Sequence, residues 1–407
     1  MSIKKSVKTI YIVLFILLIA LPLPTWRVCS ALGAFGLDAA NYENRQTAEK
    51  PVLTRQTASL YPTQYETWFD ENMPFRDALL TLNGMLEYYV LHSTDQTGVL
   101  VGKDGWLYYC GAQANDEDPI ADYKGTNLFM EDELSQIYQR MEAAKKECEF
   151  YGKRFVVMLV PNKERMYSEY MPDSYGDPRD GRLKQVNDFL TEKGFDVVNT
   201  YDALTAYKEA HPDDQIYRKY DTHWNWTGGY IAARQFDTFL QSCRLKEPDA
   251  VERAELPPQN YDLARLIHLG NVLTDDHETM PVNYWEETGE TAESGETADE
   301  ADPASKLLAP GVTRSINDTF TEYVYNNSSE SADPRHIFII GDSFSPMMTD
   351  YIASDFAGVT FDYYYNYTPD MLREYDPDVV VYEVNERYLM NLKRFTLDDL
   401  MPIVQAE

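Results

Sequence analysis

Two short motifs contain the residue types that nucleophilic catalysis requires. The first is GDSFS at 341–345, which directly follows the apolar run HIFII and precedes a helix-like segment. A strand, a tight turn and a helix in this order expose a serine hydroxyl at the carboxyl edge of a parallel sheet, where backbone N–H groups can stabilise an oxyanion. Ser343 is therefore a candidate nucleophile. The alternative is an ordinary turn in which the aspartate or the serine caps the helix.

The second motif is DTHWNWTGG at 221–229. A nucleophilic serine needs a base, and the base needs a carboxylate that fixes its tautomer. Asp221 and His223 are two residues apart, so a curled loop can bring the carboxylate to Nδ1 of the ring. A structural histidine at a helix start is the alternative. A metal site is disfavoured because no second His or Cys lies at ligand spacing, and we predict neither a metal nor another cofactor.

These motifs need a framework that holds them. Amphipathic segments predict helices at 130–151, 181–193, 226–243 and 345–356. Short apolar runs predict strands at 155–160, 195–199, 336–340 and 378–384. Because unbroken apolar strands that alternate with helices are typical of a parallel sheet covered on both faces, we predict a layered α/β domain. We place this domain at 65–407, after a stalk at 28–64.

The N-terminal residues 1–27 predict a membrane anchor. Three lysines precede Thr9–Thr25, an uncharged and mostly apolar run of 17 residues. The amino terminus should therefore stay in the cytoplasm while the remainder crosses the membrane. The run is short for a spanning helix and long for the core of a signal peptide. We favour an uncleaved anchor over a cleaved signal, and in both cases we expect the body of the protein to work outside the cytoplasm.

The composition excludes several functions. The 36 basic residues face 67 acidic ones, and a formal charge of −31 argues against nucleic-acid binding, which depends on clustered Lys and Arg. The same charge should repel polyanionic glycans, which favours a neutral or amino-sugar ligand.

Residues 286–302 hold eight acidic side chains and no aromatic ones, so we predict a solvated insertion there.

The four cysteines contain no CxxC pair, which argues against a zinc ribbon or an Fe–S site. Three of them follow the predicted anchor, Cys110, Cys148 and Cys243. Oxidising surroundings would permit one disulfide among these three, and the third thiol would be free or paired with another chain. The sequence does not select the pair.

The two motifs together resemble a known family. DTHW followed more than a hundred residues later by GDSF is similar to the SGNH-like acetyltransferase domain of alginate O-acetylation proteins, and still more to the related bacterial DHHW proteins. Weaker matching pieces occur in the family's order: ENMPFRD (71–77), GKDGWLYY (102–109), VPNKERMY (160–167), YDLARLIHLG (261–270) and PDVVVYEVNERYL (377–389). The resemblance covers roughly residues 65–390.

The resemblance implies an SGNH-hydrolase-like three-layer α/β/α fold. It also implies a triad in which Ser343 is the nucleophile, His223 the base and Asp221 the residue that orients the base. The family's glycan O-acetyltransferases take acetyl groups from a multi-spanning membrane-bound O-acyltransferase. The resemblance therefore implies such a donor as a partner and a polysaccharide as the acceptor.

Other residues are weaker candidates for the site. Asn162 and Lys163 follow a strand end, where loops of an α/β sheet line the site, so they and Asp342 could contact the oxyanion or the substrate. A plain turn is an equally good interpretation of the first two. Trp224, beside the histidine, is predicted to support it.

Two further groups have a structural and a functional interpretation. Glu386 and Arg387 follow another strand, and we predict an ion pair that supports the site rather than catalytic groups. Tyr363–Tyr365 and Tyr367 could stack on sugar rings. We favour the interpretation that these tyrosines lie half-exposed on a strand at the edge of the sheet.

Three functions follow from these observations. We prefer an extracytoplasmic O-acetyltransferase that acts on a surface polysaccharide. An esterase would use the same triad with water as the acceptor, and the difference would lie in how well the site excludes water. A catalytically inactive envelope protein that binds glycan is the third interpretation.

Overall fold

The computed structural model describes residues 3–22, 24–25, 28, 48–73, 75–111, 117–242, 244–274, 277–285 and 307–397. The acidic insertion predicted at 286–302 and Cys243 lie outside the described residues. Cys110 and Cys148 are free thiols, and burial raises the pKa of each to about 12.

The chain forms two compact units, 1–96 with 264–272 and 97–263 with 273–407. The first unit contains α1 (Ile3–Ala20), α2 (Tyr61–Glu71), α3 (Arg76–Met85) and a π-helical turn at Leu86–Leu91. In the part of the chain that the structure describes, no helix has both the length and the apolar composition that crossing a membrane requires. The anchor at 1–27 stays a prediction.

The second unit is built on a mixed sheet of seven strands in the order β4-β3-β11-β9-β10-β8-β7. Its strands are β3 (Arg154–Val160), β4 (Asp196–Asn199), β7 (Val312–Ile316), β8 (Glu322–Asn327), β9 (Asp333–Gly341), β10 (Phe356–Tyr363) and β11 (Val379–Asn385). Neighbours from β4 to β10 pair in parallel, whereas β10–β8 and β8–β7 pair antiparallel. The prediction of a purely parallel sheet was therefore wrong at one edge. The hairpin of β7 and β8 at that edge is polar and partly exposed, so it lacks the unbroken apolar run of a strand buried on both faces.

Two further antiparallel pairs of short strands belong to this unit. They consist of β1 (Val99–Val101) with β2 (Leu107–Tyr109), and of β5 (Glu252–Glu255) with β6 (Thr279–Val282). The turn at 102–106 and the strand after it agree with the interpretation of GKDGWLYY.

Helices cover both faces of the sheet. The helices of this unit are α4 (Pro119–Lys124), α5 (Glu131–Phe150), α6 (Lys163–Met166), α7 (Arg182–Glu192), α8 (Tyr201–Ala210), α9 (Trp226–Leu240), α11 (Ser345–Ile352) and α12 (Pro369–Tyr375). A short helix, α10 (Asp262–Leu266), includes the last two residues of the segment 97–263 and continues into the first unit. Val156, Met158 and Val160 of β3 join one apolar cluster with α9 and α11, whereas Val157 and Leu159 join another with α5 and α7. This alternation is that of a strand buried on both faces, so the predicted three layers are present.

The helices predicted at 130–151 and 181–193 are confirmed, and two others end earlier than predicted. The helix predicted at 226–243 ends at Leu240 because Gln241 adopts the left-handed conformation that stops a helix. The segment predicted as helix at 345–356 turns at 353–355, and Phe356 begins β10.

The tyrosine run does not lie at a sheet edge, which corrects its predicted position. Tyr363 is the last residue of β10, and β10 lies between β9 and β8. Tyr367 is buried in the turn that follows, and its hydroxyl donates a hydrogen bond to the Leu397 carbonyl at 3.0 Å. Tyr365 is 42% exposed and stacks on Tyr363 at a centroid distance of 5.2 Å.

Asp362 in β10 generates a stability prediction. Its side chain is buried, Oδ1 accepts a hydrogen bond from Asn366 at 2.8 Å, and Oδ2 has no partner among the described residues. Burial raises the pKa of Asp362 to about 7, and the nearby charge of Glu322 adds to the rise. Because this folded-state pKa exceeds the unfolded value, ionisation opposes folding as the pH rises from about 4 through 7.

We expect Asp362→Asn to be more stable than the wild type at pH 8 and of similar stability at pH 4, since only the wild type ionises. Urea denaturation at the two pH values measures this difference. Asp202→Asn, at an exposed position, should give no pH-dependent gain. An equal effect of Asp362→Asn at both pH values would contradict the account.

Candidate active site

Ser343 lies in the turn between β9 and α11, at the carboxyl end of a central strand. It is partly exposed, whereas the residues on both sides of it are buried. The turn requires glycine at 341, because a Cβ there would overlap Ser345 Oγ and lie 2.7 Å from Glu383 Oε2. Strand, turn and helix therefore present the serine hydroxyl as the motif predicted.

Asp342 holds this turn in place and does not face a substrate, which corrects its candidate role. Its Oδ1 accepts the Phe344 N–H at 2.9 Å, and its Oδ2 accepts the Asn385 N–H of β11 at 2.8 Å. Burial raises the pKa of Asp342. The side chain is short and both oxygens already accept backbone hydrogen bonds, so the carboxylate fixes the serine turn against the neighbouring strand.

His223 connects Ser343 to Asp221. Its Nε2 lies 2.7 Å from Ser343 Oγ, and its Nδ1 lies 2.7 Å from Asp221 Oδ1. The His223 backbone N–H also donates to Asp221 Oδ1 at 3.0 Å, which is the curled loop that the spacing of the motif permits. Burial by itself would raise the pKa of Asp221, but the hydrogen bond and charge of His223, together with Arg218, hold that pKa well below its usual range.

Trp224 connects the histidine loop to the serine turn. An isolated antiparallel β-bridge between Tyr217 and Trp224 closes the loop. Helix α9 begins just after it, with Asn225 as the N-cap. The fully buried indole donates from Nε1 to the Phe344 carbonyl at 3.1 Å. Its ring also contacts that of Phe344 edge-on, with centroids 5.2 Å apart.

Lys163 supports the backbone of the same loop. It is 1% exposed, and its Nζ donates to the carbonyls of Leu107, Lys219 and Asp221 at 2.5, 2.9 and 2.9 Å. A buried ammonium needs such acceptors, so its three protons point to the backbone rather than to a substrate. The prediction that Lys163 contacts the oxyanion or the substrate was wrong.

Asn162 also belongs to the layer beneath the site. Its backbone N–H donates to Glu386 Oε2 at 3.0 Å. Its Nδ2 is buried and has no hydrogen-bond partner among the described residues. A plain turn therefore does not account for this amide, and its contact with the oxyanion or the substrate stays a prediction.

The predicted ion pair between Glu386 and Arg387 is wrong. Glu386 is fully buried and pairs with Arg165 at 2.8 Å instead. The Arg387 guanidinium lies over the rings of Tyr109, Phe344 and Tyr388 at 5.5, 5.5 and 5.0 Å. Glu386 and Arg387 are adjacent in sequence, but their side chains contact different residues. Their proximity in the sequence therefore led to the wrong partner for Glu386.

The environment of Arg387 keeps it charged. Its Nε has no hydrogen-bond partner in the described part of the chain. Burial by itself would lower the pKa of Arg387, but the effects of Tyr388 and of the carboxyls of Asp342 and Asp262 are larger and raise that pKa. The site therefore contains a buried cation beside the serine turn.

Asp262 belongs to the site, and the sequence analysis did not single it out. Its Oδ1 and Oδ2 accept hydrogen bonds from the Thr222 N–H and hydroxyl at 2.9 and 2.6 Å, and its backbone N–H donates to Asp221 Oδ2 at 2.8 Å. Its only signal in the sequence is its place in YDLARLIHLG, a segment that resembles the family but contains no motif with a known role. No residue type or spacing linked it to a histidine 39 positions earlier.

One nitrogen and two oxygens of Asp221, His223 and Asp262 lie within 4.8 Å of one another. The ring nitrogen faces an Asp221 oxygen, and both carboxylates accept hydrogen bonds from the protein. We therefore assign these atoms to a hydrogen-bond network and not to a cation site.

This arrangement can support nucleophilic chemistry. The serine proton can pass along the 2.7 Å contact to His223 Nε2, and Asp221 can stabilise the charge that forms on the ring. These abilities follow from geometry and fit several acyl-transfer reactions.

A family model described as "SGNH hydrolase-like domain, acetyltransferase AlgX" matches residues 99–330, more than half of the chain. The chain belongs to this family. The predicted SGNH-hydrolase-like α/β fold and the predicted enzyme class, an SGNH-like acetyltransferase, are therefore confirmed. The matched range includes Asp221 and His223 and ends before Ser343.

Curated relatives match nearly the whole chain. The "Probable alginate O-acetylase AlgJ" of Pseudomonas syringae pv. tomato is 25% identical over 399 residues, which cover 95% of this chain and 89% of the relative. The protein of the same name from Pseudomonas fluorescens is 25% identical over 394 residues, with 95% and 88% covered.

Solved structures with similar chains include a DHHW family protein from Eubacterium siraeum, at a TM-score of 0.48 and 16% identity, covering 75% of this chain and 97% of that one. They also include the O-acetyltransferase domain of Pseudomonas putida AlgJ, at a TM-score of 0.42 and 16% identity, covering 74% and 94%.

The contacts of Lys163 generate a prediction. Lys163→Met keeps the aliphatic stem but leaves three backbone carbonyls, two of them buried, without their donor, so we expect it to lower the free energy of unfolding by about 2–5 kcal/mol. Urea denaturation measures the loss. Lys146→Met, which removes an exposed lysine of α5, should stay within about 0.5 kcal/mol of the wild type. Equal denaturation midpoints for Lys163→Met and the wild type would show that the ammonium does not support the loop.

Proposed function

We propose that this protein is an extracytoplasmic O-acetyltransferase that carries an acetyl group on Ser343 and transfers it to a hydroxyl of a polysaccharide. The observation that carries the proposal is the chain of two 2.7 Å contacts from Ser343 Oγ through His223 to Asp221. Membership of an acetyltransferase family supports acetyl as the group that is transferred. The relatives named as probable alginate O-acetylases support a polysaccharide as the acceptor.

The first half-reaction forms an acetyl-enzyme. His223 Nε2 takes the Ser343 proton while Oγ attacks the acetyl carbonyl of the donor. The tetrahedral intermediate then collapses, the bond to the donor's leaving group breaks, and that group takes the proton from Nε2. Asp221 stays ionised throughout and stabilises the imidazolium.

The second half-reaction transfers the acetyl group. A sugar hydroxyl gives its proton to His223 Nε2 and attacks the acetyl carbonyl. When the intermediate collapses, the bond to Ser343 Oγ breaks and Oγ recovers the proton from Nε2. Water in place of the sugar would give net hydrolysis, so the same residues would serve an esterase.

The donor and the location complete the proposal. A membrane-bound O-acyltransferase would supply the acetyl group, in accordance with the family resemblance. The lysines and the apolar run at the N-terminus support a body that faces away from the cytoplasm. If protease added to spheroplasts failed to cleave the chain before the membrane was lysed, the proposed location would be wrong.

We expect Ser343→Ala to lose acetyl transfer by at least about 10³-fold while its unfolding stays unchanged, because the hydroxyl is the nucleophile. The purified full-length chain is given a small activated acetyl ester and either a polyuronate or an amino-sugar oligosaccharide, and mass spectrometry measures acetylated glycan. Ser328→Ala, at an exposed serine, is the matched control and should keep wild-type transfer.

Transfer by Ser343→Ala at the wild-type rate would refute the assignment. Hydrolysis of the ester without transfer to either glycan would instead favour the esterase. The comparison of the two glycans also tests whether the acidic composition disfavours a polyanionic acceptor.

A further inference from the structure

A second carboxylate faces the histidine of the proposed triad. Asp262 Oδ2 lies 3.7 Å from His223 Nδ1, the same ring nitrogen that Asp221 Oδ1 contacts at 2.7 Å. The Thr222 hydroxyl lies between them, 2.6 Å from Asp262 Oδ2 and 3.2 Å from Nδ1. Asp262 takes no part in the proton transfers of the proposed mechanism.

The contacts of Asp262 restrain the triad. Its backbone N–H donates to Asp221 Oδ2, which is the oxygen that the histidine does not contact. Its carboxylate accepts both the N–H and the hydroxyl of Thr222, the residue between Asp221 and His223. Asp262 therefore contacts both residues that precede the histidine in the loop, and it limits the movement of the ring.

The carboxylate of Asp262 lies close enough to the ring to act on it electrostatically. Two carboxylates within 4 Å of one nitrogen stabilise an imidazolium more than one does, and partial burial weakens the screening by solvent. Burial and the charge of Asp221 raise the pKa of Asp262, whereas the charge of His223 opposes that rise.

We propose that Asp262 is a positioning residue that fixes the orientation of His223 and stabilises the imidazolium formed when Ser343 gives up its proton. This inference rests on the proposed function and adds a fourth residue to it. Other charged groups also act on the ring or on its carboxylate partners: Asp221 of the same loop, Arg218 before it, Asp342 of the serine turn and Arg387 after β11.

Asp262→Asn tests the charge, because an amide of nearly the same shape can still accept the Thr222 N–H. We expect kcat to fall by about 10-fold with KM unchanged. Since a neutral amide no longer stabilises the imidazolium, the ring stays neutral to lower pH, and the acid limb of the kcat/KM profile moves down by about one pH unit. If kcat falls but the acid limb of the kcat/KM profile does not move, Asp262 has only a structural role and the inference is wrong.

Two variants separate charge from geometry. Thr222→Val removes the hydroxyl but keeps the Asp262 charge, so it should lower kcat without moving the acid limb to lower pH. Asp249→Asn removes a carboxylate from His211, an exposed pair outside the site, and should change neither kcat nor the profile. A limb that moves equally in Asp249→Asn would show that the shift comes from net charge and would refute the assignment.

A measurement that does not depend on enzyme activity separates this test from the test of the proposed function. NMR of the ¹³C-labelled histidine rings of the full-length chain follows the titration of His223, identified by its absence in His223→Gln. We expect the midpoint to fall by about one pH unit in Asp262→Asn. If Ser343→Ala is fully active but the midpoint still falls, the proposed function fails and the coupling stands. If transfer depends on Ser343 but the midpoint does not move, only the inference on Asp262 fails.

Discussion

The 2.7 Å contact between His223 Nε2 and Ser343 Oγ joins segments 120 residues apart, and the structure around it serves to hold the two together. Parallel pairing of β9 with β11 brings the serine turn to the carboxyl edge of the sheet, and Asp342 attaches that turn to β11. On the other side, the Trp224 indole donates to the carbonyl beside the serine. A displacement of either segment by one ångström would break a contact of this length.

Two buried charged groups beneath the site, Lys163 and Glu386, have protein partners. Lys163 donates to three carbonyls, and the Glu386–Arg165 pair lies under the Asn162 backbone. A buried charge without partners would lower the free energy of unfolding by several kcal/mol. These contacts offset that cost and allow polar groups to lie inside an α/β core. Because each group contacts a separate piece of chain, these contacts also give the loops of the candidate site defined positions.

The sequence predicted the parts of the fold that a local pattern determines. β3 and β11 are buried on both faces, so their unbroken apolar runs were sufficient, and GDSF and DTHW carry their own turn chemistry. The polar hairpin of β7 and β8 lacks such a pattern, which is why the mixed sheet was missed. The roles of Lys163 and Asp262 arise from contacts between distant segments. The same residue types at the same positions would suit an exposed loop, so no spacing rule could find them.

The proposed function requires that Ser343 carries the acetyl group and that His223 makes the serine hydroxyl reactive. The most direct measurement incubates the full-length chain with a small activated acetyl ester, followed by peptide mass spectrometry of the wild type and His223→Ala. The account predicts an acetyl group on Ser343 in the wild type and little or none in His223→Ala. Acetylation of Ser343 to the same extent in both proteins, or only at other residues, would contradict it.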